Sequence, residues 1–399
     1  MRDSRSAPAA IATLVAVVIL AGCGGHSAGS AGASSGGAKG VAAPPKPLKV
    51  ISIRPHKLSA TRAITVNFAS PLSAQSPLPT LQPAVPGTWV RHGSAAIFTP
   101  SQAYPPDTKV TVSVAKTLVA KRKVVATRTT PTGSLRRAQQ ILARLHYLPL
   151  TTTAATPLTA AAEADAVYSP PKGGFAWRYS DVPTTLKQDW SPDKSGQVLS
   201  GAVIAFQHQS HLPLDGSIGQ HTWRALVKAD LADKVDPDHY SFVSANLDLP
   251  QTLSVWVDGK TVLSSPVNGG VAGAPTPLGT FPVYERFTST TMSGTNPSGS
   301  KYKDPGVPWV NYFTGGSAVH GFPRASYGSP QSVGCLELPI PTAARVFKLI
   351  DYGTLVNVAG PYVPGPSAAT PAPPANASPT KSASPKPTPS ATKTHKPKH

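Results

Sequence analysis

The sequence predicts a mainly β chain in which a small helical domain separates two β domains. Three observations predict this. Short runs with apolar residues at every second position, punctuated by Gly, Pro and Asp, fill residues 47–131 and again 240–360. Residues 134–229 instead carry apolar side chains at helical spacing. Residues 23–46 and 361–399 consist largely of Gly, Ala, Ser, Thr, Pro and Lys, a composition that cannot bury a core.

At the N-terminus, Arg2 and Arg5 precede an apolar run from Ala9 to Leu20, interrupted only by Thr13. The run is too short for a comfortable transmembrane helix. It ends in Leu20-Ala21-Gly22-Cys23, followed by two glycines. This pattern resembles a bacterial lipoprotein signal. The resemblance implies that residues 1–22 are removed and that Cys23 carries lipid, with a plain secretory signal as the alternative. The acyl chains then anchor the protein to the outer face of the cell membrane, at about 0.8 kcal/mol per buried CH₂. Residues 23–46 read as a flexible tether and 361–399 as a disordered tail, with five lysines and no acid.

The first β domain, 47–131, is predicted from Val50–Ile53, Ala63–Phe68, Ala95–Thr99 and Lys109–Val114, with turns at Gly87, Gly93 and Pro105-Pro106-Asp107. Short strands at this spacing predict a β-sandwich. The surroundings of Pro86-Gly87-Thr88-Trp89, Phe98-Thr99-Pro100 and Tyr104-Pro105-Pro106 resemble bacterial immunoglobulin-like domains. No catalytic cluster is visible here, and a spacer role is expected.

In 134–229, Leu135, Ala138, Ile141, Leu142 and Leu145 share one helical face. Ala202–Gln207 and Thr222–Leu226 predict further helices, joined through Leu212-Pro213-Leu214-Asp215-Gly216. Phe206-Gln207, the Asp215-Gly216 turn, Gly219 and Thr222-Trp223 resemble the three-helix peptidoglycan-binding module. Residues 151–195 are an insertion that departs from that pattern.

The last segment, 240–360, carries the chemistry. A hairpin is predicted at Leu253–Val262 around Asp258-Gly259, followed by β runs at Pro266–Gly270, Thr276–Phe281 and Trp309–Phe313. Then come His320-Gly321 and Ser332-Val333-Gly334-Cys335. A thiol is a weak nucleophile until a base takes its proton, and a histidine is the residue type for that task. Cys335 is thus the candidate nucleophile and His320 the candidate base. A short helix, Thr342–Ile350, and a strand, Leu355–Val358, close the segment.

The Thr-Pro-x-Gly-Thr-Phe stretch, the His-Gly, the Ser-x-Gly-Cys and the closing Gly353-Thr354-Leu355-Val356 resemble the L,D-transpeptidase catalytic domain, a β-sandwich. The resemblance implies a thioester between Cys335 and a peptidoglycan stem peptide, passed to an amine, with no cofactor and no metal. It implies that the Gly321 carbonyl orients His320, and the backbone N–H groups of Gly334 and Cys335 are candidate oxyanion donors. Tyr312, Trp309 and Glu337 are candidate substrate contacts, and Ser332 either shapes the loop or contacts substrate. Glu337 departs from the Arg or Asn of many relatives, and either pairs with a substrate ammonium or faces solvent. Val333 replaces a frequent His or Lys. Residues 289–306, rich in Gly, Ser, Thr and Pro, are expected to be a lid or a surface loop.

Lys and Arg number 37 against 18 Asp and Glu, a formal charge of +19. With no basic-aromatic stripe, nucleic acid is not the expected partner. Peptidoglycan peptides and glycan, anionic wall polymers and lipid headgroups are, and carbapenems are expected inhibitors. A serine penicillin-binding enzyme is disfavoured because Lys-Thr-Gly is missing. A zinc site is disfavoured because His208, His211 and His221 read as surface residues. A non-catalytic wall-binding lipoprotein and an L,D-carboxypeptidase are the alternatives.

Overall fold

The computed structural model describes residues 48–115, 124–154 and 158–361. Cys23, the tether and the tail beyond Pro361 lie outside the described residues. Among those described, no helix is long and apolar enough to cross a membrane. The protein is mainly β.

The N-terminal segment holds β1 (Val50–Arg54), β2 (Ile64–Phe68), β3 (Thr80–Gln82), β4 (Gly87–His92), β5 (Ala95–Pro100), β6 (Lys109–Val114) and β7 (Val124–Thr129). They form a four-stranded sheet, β1-β2-β5-β4, and a three-stranded sheet, β3-β6-β7. Alternation decides which face is inside: Ile64, Val66 and Phe98 of one sheet share a core with Val110, Val112 and Val114 of the other. The two sheets agree with the expected sandwich. β3, β4 and β7 were not predicted, and none of them buries a side chain completely.

Next come α1 (Leu135–Arg144), β8 (Leu150–Thr152), α2 (Ala160–Ala166), β9 (Phe175–Trp177), α3 (Thr184–Gln188), α4 (Gln197–Gln209) and α5 (Gln220–Leu231). The three predicted helices are α1, α4 and α5, but the described residues of the segment form five, because the described part of the 151–195 insertion is itself structured. β8 pairs with β9, and Val167, Val182 and Leu186 of the insertion join the helical core. Thr159 caps α2 by accepting the Ala162 N–H. Glu163 on α2 is fully buried and pairs with Arg137 of α1, which also reaches Asp230 of α5 at 2.8 Å. Buried charges are tolerated only when paired, so this ion cluster ties the insertion to the helices on either side of it in sequence.

The C-terminal segment comprises β10 (Ser241–Asn246), β11 (Thr252–Val257), β12 (Lys260–Pro266), β13 (Gly279–Pro282), β14 (Glu285–Thr295), β15 (Lys301–Thr314), β16 (Ser317–Gly321), β17 (Leu336–Leu338), α6 (Ile340–Leu349) and β18 (Leu355–Ala359). One sheet runs β12-β11-β10-β18-β13 and the other β14-β15-β16-β17. The predicted hairpin turns at Asp258 and Gly259, both with positive φ (45° and 95°), as a tight turn between twisted strands requires. Val243, Leu253 and Val356 of the first sheet pack on Phe313, Val319 and Leu336 of the second. Residues 289–306 are not a structureless loop. They lie mostly within the β14–β15 hairpin, whose Ser and Thr residues suit a half-exposed strand as well as a loop.

The helical and C-terminal segments share a core. Phe242, Trp256 and Leu355 belong to the same buried cluster as Ile141, Phe206 and Trp223. The Trp256 indole N–H donates to the Asp181 carbonyl at 2.6 Å. Gly201 of α4 meets Gly353 so closely that a Cβ on either would strike the other's backbone.

Candidate active site

Strands β16 and β17 run parallel, with His320 opposite Glu337 and Val319 opposite Leu336. Side chains alternate along a strand, so Cys335, two residues before Glu337, projects from the same face as Glu337 and His320. The register thereby makes His320 and Cys335 diagonal neighbours, and both line one cavity of about 270 Å³. The β14–β15 hairpin forms its opposite wall through Met292, Tyr302, Asp304 and Val307. Along Lys301-Tyr302-Lys303-Asp304 the pleat turns Tyr302 and Asp304 inward and leaves both lysines exposed.

His320 is buried, and its Nδ1 lies 3.0 Å from the Gly321 carbonyl oxygen. A carbonyl only accepts, so Nδ1 carries the proton and Nε2 is the basic nitrogen. Burial lowers the imidazole pKa below its ordinary value, although the Gly321 carbonyl and the Glu337 charge act in the opposite sense. Burial also pushes the Cys335 thiol up to about 11, against the Ala318 N–H, which stabilises the thiolate, while Glu337 raises it further. The resting pair at neutral pH is therefore a neutral thiol and a neutral imidazole. The thiol sits in an apolar cluster with Met292, Val307, Val310 and Ala318, and its sulfur is 3.9 Å from the Gly316 carbonyl.

The loop entering β17 is held from within. Ser332 is buried, and its hydroxyl donates to the Cys335 carbonyl at 2.7 Å while accepting the Gly334 N–H at 3.2 Å. The buried Thr276 hydroxyl reaches the same carbonyl at 3.3 Å and accepts the Gly270 N–H. Ser332 thus holds the loop, the first of the two roles expected of it, with its hydroxyl engaged inside the loop. The Gly334 N–H, an expected oxyanion donor, is engaged by Ser332 in this state. Gly334 has φ 102°, which disfavours any other residue, while space alone would admit a Cβ.

The remaining candidates separate. Trp309 does not line the cavity; its ring packs on Phe347 of α6 at 5.5 Å. Tyr312 packs against the apolar cluster that contains Cys335. Glu337 does not face solvent. It is buried and accepts two hydrogen bonds from Arg324, both at 2.8 Å, a bidentate pair that neutralises it beside His320. The sequence reading missed Arg324, which no motif marks, and Thr276, whose motif was noted but not its role. It also missed Asp304, whose alternation with two lysines was readable. Among the described residues, no group of His, Cys, Asp or Glu converges as a metal site.

Residues 241–358 match the YkuD family, the L,D-transpeptidase catalytic domain. No curated protein matches the chain. Similar solved structures include an L,D-transpeptidase from Mycobacterium smegmatis, at 16% identity over 79% of this chain and 100% of that one, with TM-score 0.28. L,D-transpeptidase 3 from Mycobacterium tuberculosis, in complex with a faropenem-derived adduct, is 14% identical over 77% and 97%, with TM-score 0.28. The catalytic domain of the E. faecium L,D-transpeptidase is 26% identical over 30% and 96%, also with TM-score 0.28. The matched segment, 241–358, contains both Cys335 and His320, together with the hairpin that walls their cavity.

Proposed function

We propose that the protein is an extracytoplasmic L,D-transpeptidase in which Cys335 is the nucleophile and His320 the general base. The observation that carries this reading is one cavity shared by a buried thiol and a neutral imidazole whose Nδ1 is held by the Gly321 carbonyl. That cavity lies in the segment that matches the L,D-transpeptidase catalytic family.

The chemistry follows from the protonation states. Nε2 of His320 takes the thiol proton as Sγ bonds to the carbonyl carbon of the third, diamino-acid residue of a stem tetrapeptide. The oxyanion accepts from the Cys335 N–H, and from the Gly334 N–H once that bond to Ser332 is released. The tetrahedral species collapses by breaking the C–N bond to the terminal D-Ala, whose nitrogen receives the proton from His320. A thioester remains. An amine of a second stem attacks its carbonyl carbon and His320 accepts the amine proton; the C–S bond then breaks and His320 returns that proton to the sulfur, restoring the thiol. The β14–β15 hairpin keeps water from the thioester, which favours the amine over hydrolysis.

The other segments serve delivery in this proposal. Lipid on Cys23 anchors the chain, the tether and an immunoglobulin-like sandwich at 47–131 hold it away from the bilayer, and residues 134–229 contact peptidoglycan. The support is the Leu-Ala-Gly-Cys pattern, the two-sheet architecture and the helical motif.

Intact-mass spectrometry tests the catalytic reading. A carbapenem, as a strained acyl donor, is expected to add covalently to the wild-type protein and not to Cys335→Ala. A tetrapeptide muropeptide is expected to yield cross-linked dimer. Release of tripeptide alone would assign water as the acceptor, the carboxypeptidase outcome. Folded, reduced protein that gives neither adduct nor product would overturn the proposal in favour of a non-catalytic wall-binding protein.

A further inference from the structure

The positive charge of the chain is concentrated in the domain nearest the N-terminus. Residues 47–131 contain eleven Lys and Arg and a single acid, Asp107, a surplus of ten out of the whole chain's +19. At one end of this sandwich, Arg54, His56 and Arg62 line a cleft of about 310 Å³ completed by Pro55, Ala63 and Thr65, with no carboxylate in its wall. The three basic side chains are exposed, yet the backbone that carries them is fixed. Arg128, from the other sheet, donates to the Pro55 carbonyl at 2.7 Å and to the Ile53 carbonyl at 2.8 Å. The Tyr104 hydroxyl donates to the Arg62 carbonyl at 2.9 Å, and the Tyr104 N–H to the Ala60 carbonyl at 2.8 Å. Leu58 is buried between these tethers. The loop from Arg54 to Arg62 is therefore held in shape from below while its charges point outward. Two guanidinium groups carried on a fixed loop suit the oxygens of a phosphate, to which each presents a planar fork of donors.

We propose that this cleft is a docking site for a phosphate-bearing anionic polymer, so that the N-terminal sandwich is a binding module as well as a spacer. A polymer fits the site better than a bilayer. The cleft is concave and offers only Pro55 and Ala63 as apolar neighbours, whereas a membrane-seated surface presents a broad basic face with large apolar side chains to insert. The surplus of charge in this domain attracts further phosphates of the same chain, which raises the effective concentration at the cleft. The inference is independent of the thioester chemistry, and Cys335→Ala is expected to bind like the wild type.

The test uses the full chain and linear polyphosphate as the probe, titrated at low and at moderate salt. The double variant Arg54→Ser/Arg62→Ser is expected to lose at least tenfold in affinity and to show a weaker salt dependence. Its circular dichroism and denaturant unfolding, compared with the wild type, report whether the fold is intact. Lys49→Ser/Lys109→Ser removes the same charge from exposed positions outside the cleft and is expected to lose less than threefold. Equal losses in the two double variants would mean diffuse attraction and would overturn the cleft. Tighter binding to phosphatidylglycerol vesicles than to polyphosphate would overturn the polymer in favour of the membrane. No saturable binding of wild type to polyphosphate at low salt would overturn both.

Discussion

Two short loops in this chain carry equally recognisable sequence motifs, and the structure uses them for different ends. In the Ser332–Cys335 loop, buried polar groups hold the backbone so that one thiol projects into a cavity beside His320. In the helical segment, Gln207 is just as buried, but its amide is consumed by its own loop. It donates to Asp215 at 2.7 Å, to the Ser217 carbonyl at 3.0 Å and to Thr222 at 3.2 Å, and accepts the Gly216 N–H at 3.0 Å. The first network leaves a reactive atom over; the second uses both N–H hydrogens of the amide within the helical segment. A motif thus marks residues under constraint, and only the direction of the leftover group tells chemistry from architecture.

The sharpest way to break this comparison is Cys335→Ala, which is expected to abolish covalent addition of a carbapenem altogether, read as loss of the mass increase. His320→Ala follows, with a fall in acylation rate of about 10² to 10⁴-fold, the range for a lost general base. A rate undiminished in that variant would mean that the thiol is activated some other way. The pH profile sharpens the contrast further. Because burial raises the Cys335 pKa to about 11 and lowers that of His320, the wild-type rate should fall only below the ordinary imidazole range, as His320 becomes protonated. Direct alkylation of the thiol should keep rising towards pH 11 and show no plateau near neutrality, as a preformed thiolate–imidazolium pair would.

Smaller effects are expected in the supporting networks. Arg324→Ala leaves the Glu337 carboxylate buried without its partner, and should lower stability by about 3–5 kcal/mol, read from denaturant unfolding. Replacing both by Met should recover much of that loss. Gln207→Ala is expected to cost about 1–3 kcal/mol through unsatisfied buried groups around Asp215 and Gly216, with the carbapenem addition rate changed less than threefold. If Gln207→Ala instead left stability intact and abolished sedimentation with peptidoglycan, the helical loop would be a ligand site and the comparison would fail.

Much of the fold was legible because its signals are local. The valines of β6 alternate, the Asp258-Gly259 turn sits between two such runs, and α1 repeats Leu and Ile on one face. What was illegible lacked that signal. β4 buries no side chain completely, so it left no pattern. The β14–β15 hairpin is written in Ser, Thr and Gly, which propensity assigns as readily to a loop. The insertion at 151–195 acquires its order from distant partners, since Glu163 is buried only because Arg137 and Asp230 meet it.

The same division runs through the candidate site. The sequence alone determined which atoms are capable of the chemistry: the thiol of Cys335, a His-Gly shortly before it, and a glycine next to the thiol. These are properties of single residues and short spacings. Only the tertiary structure decided the protonation states, the partner of Glu337, the inward turn of the Ser332 hydroxyl and the hairpin that walls the cavity. Desolvation and long-range pairing depend on which distant segments cover a group, and no local pattern encodes that.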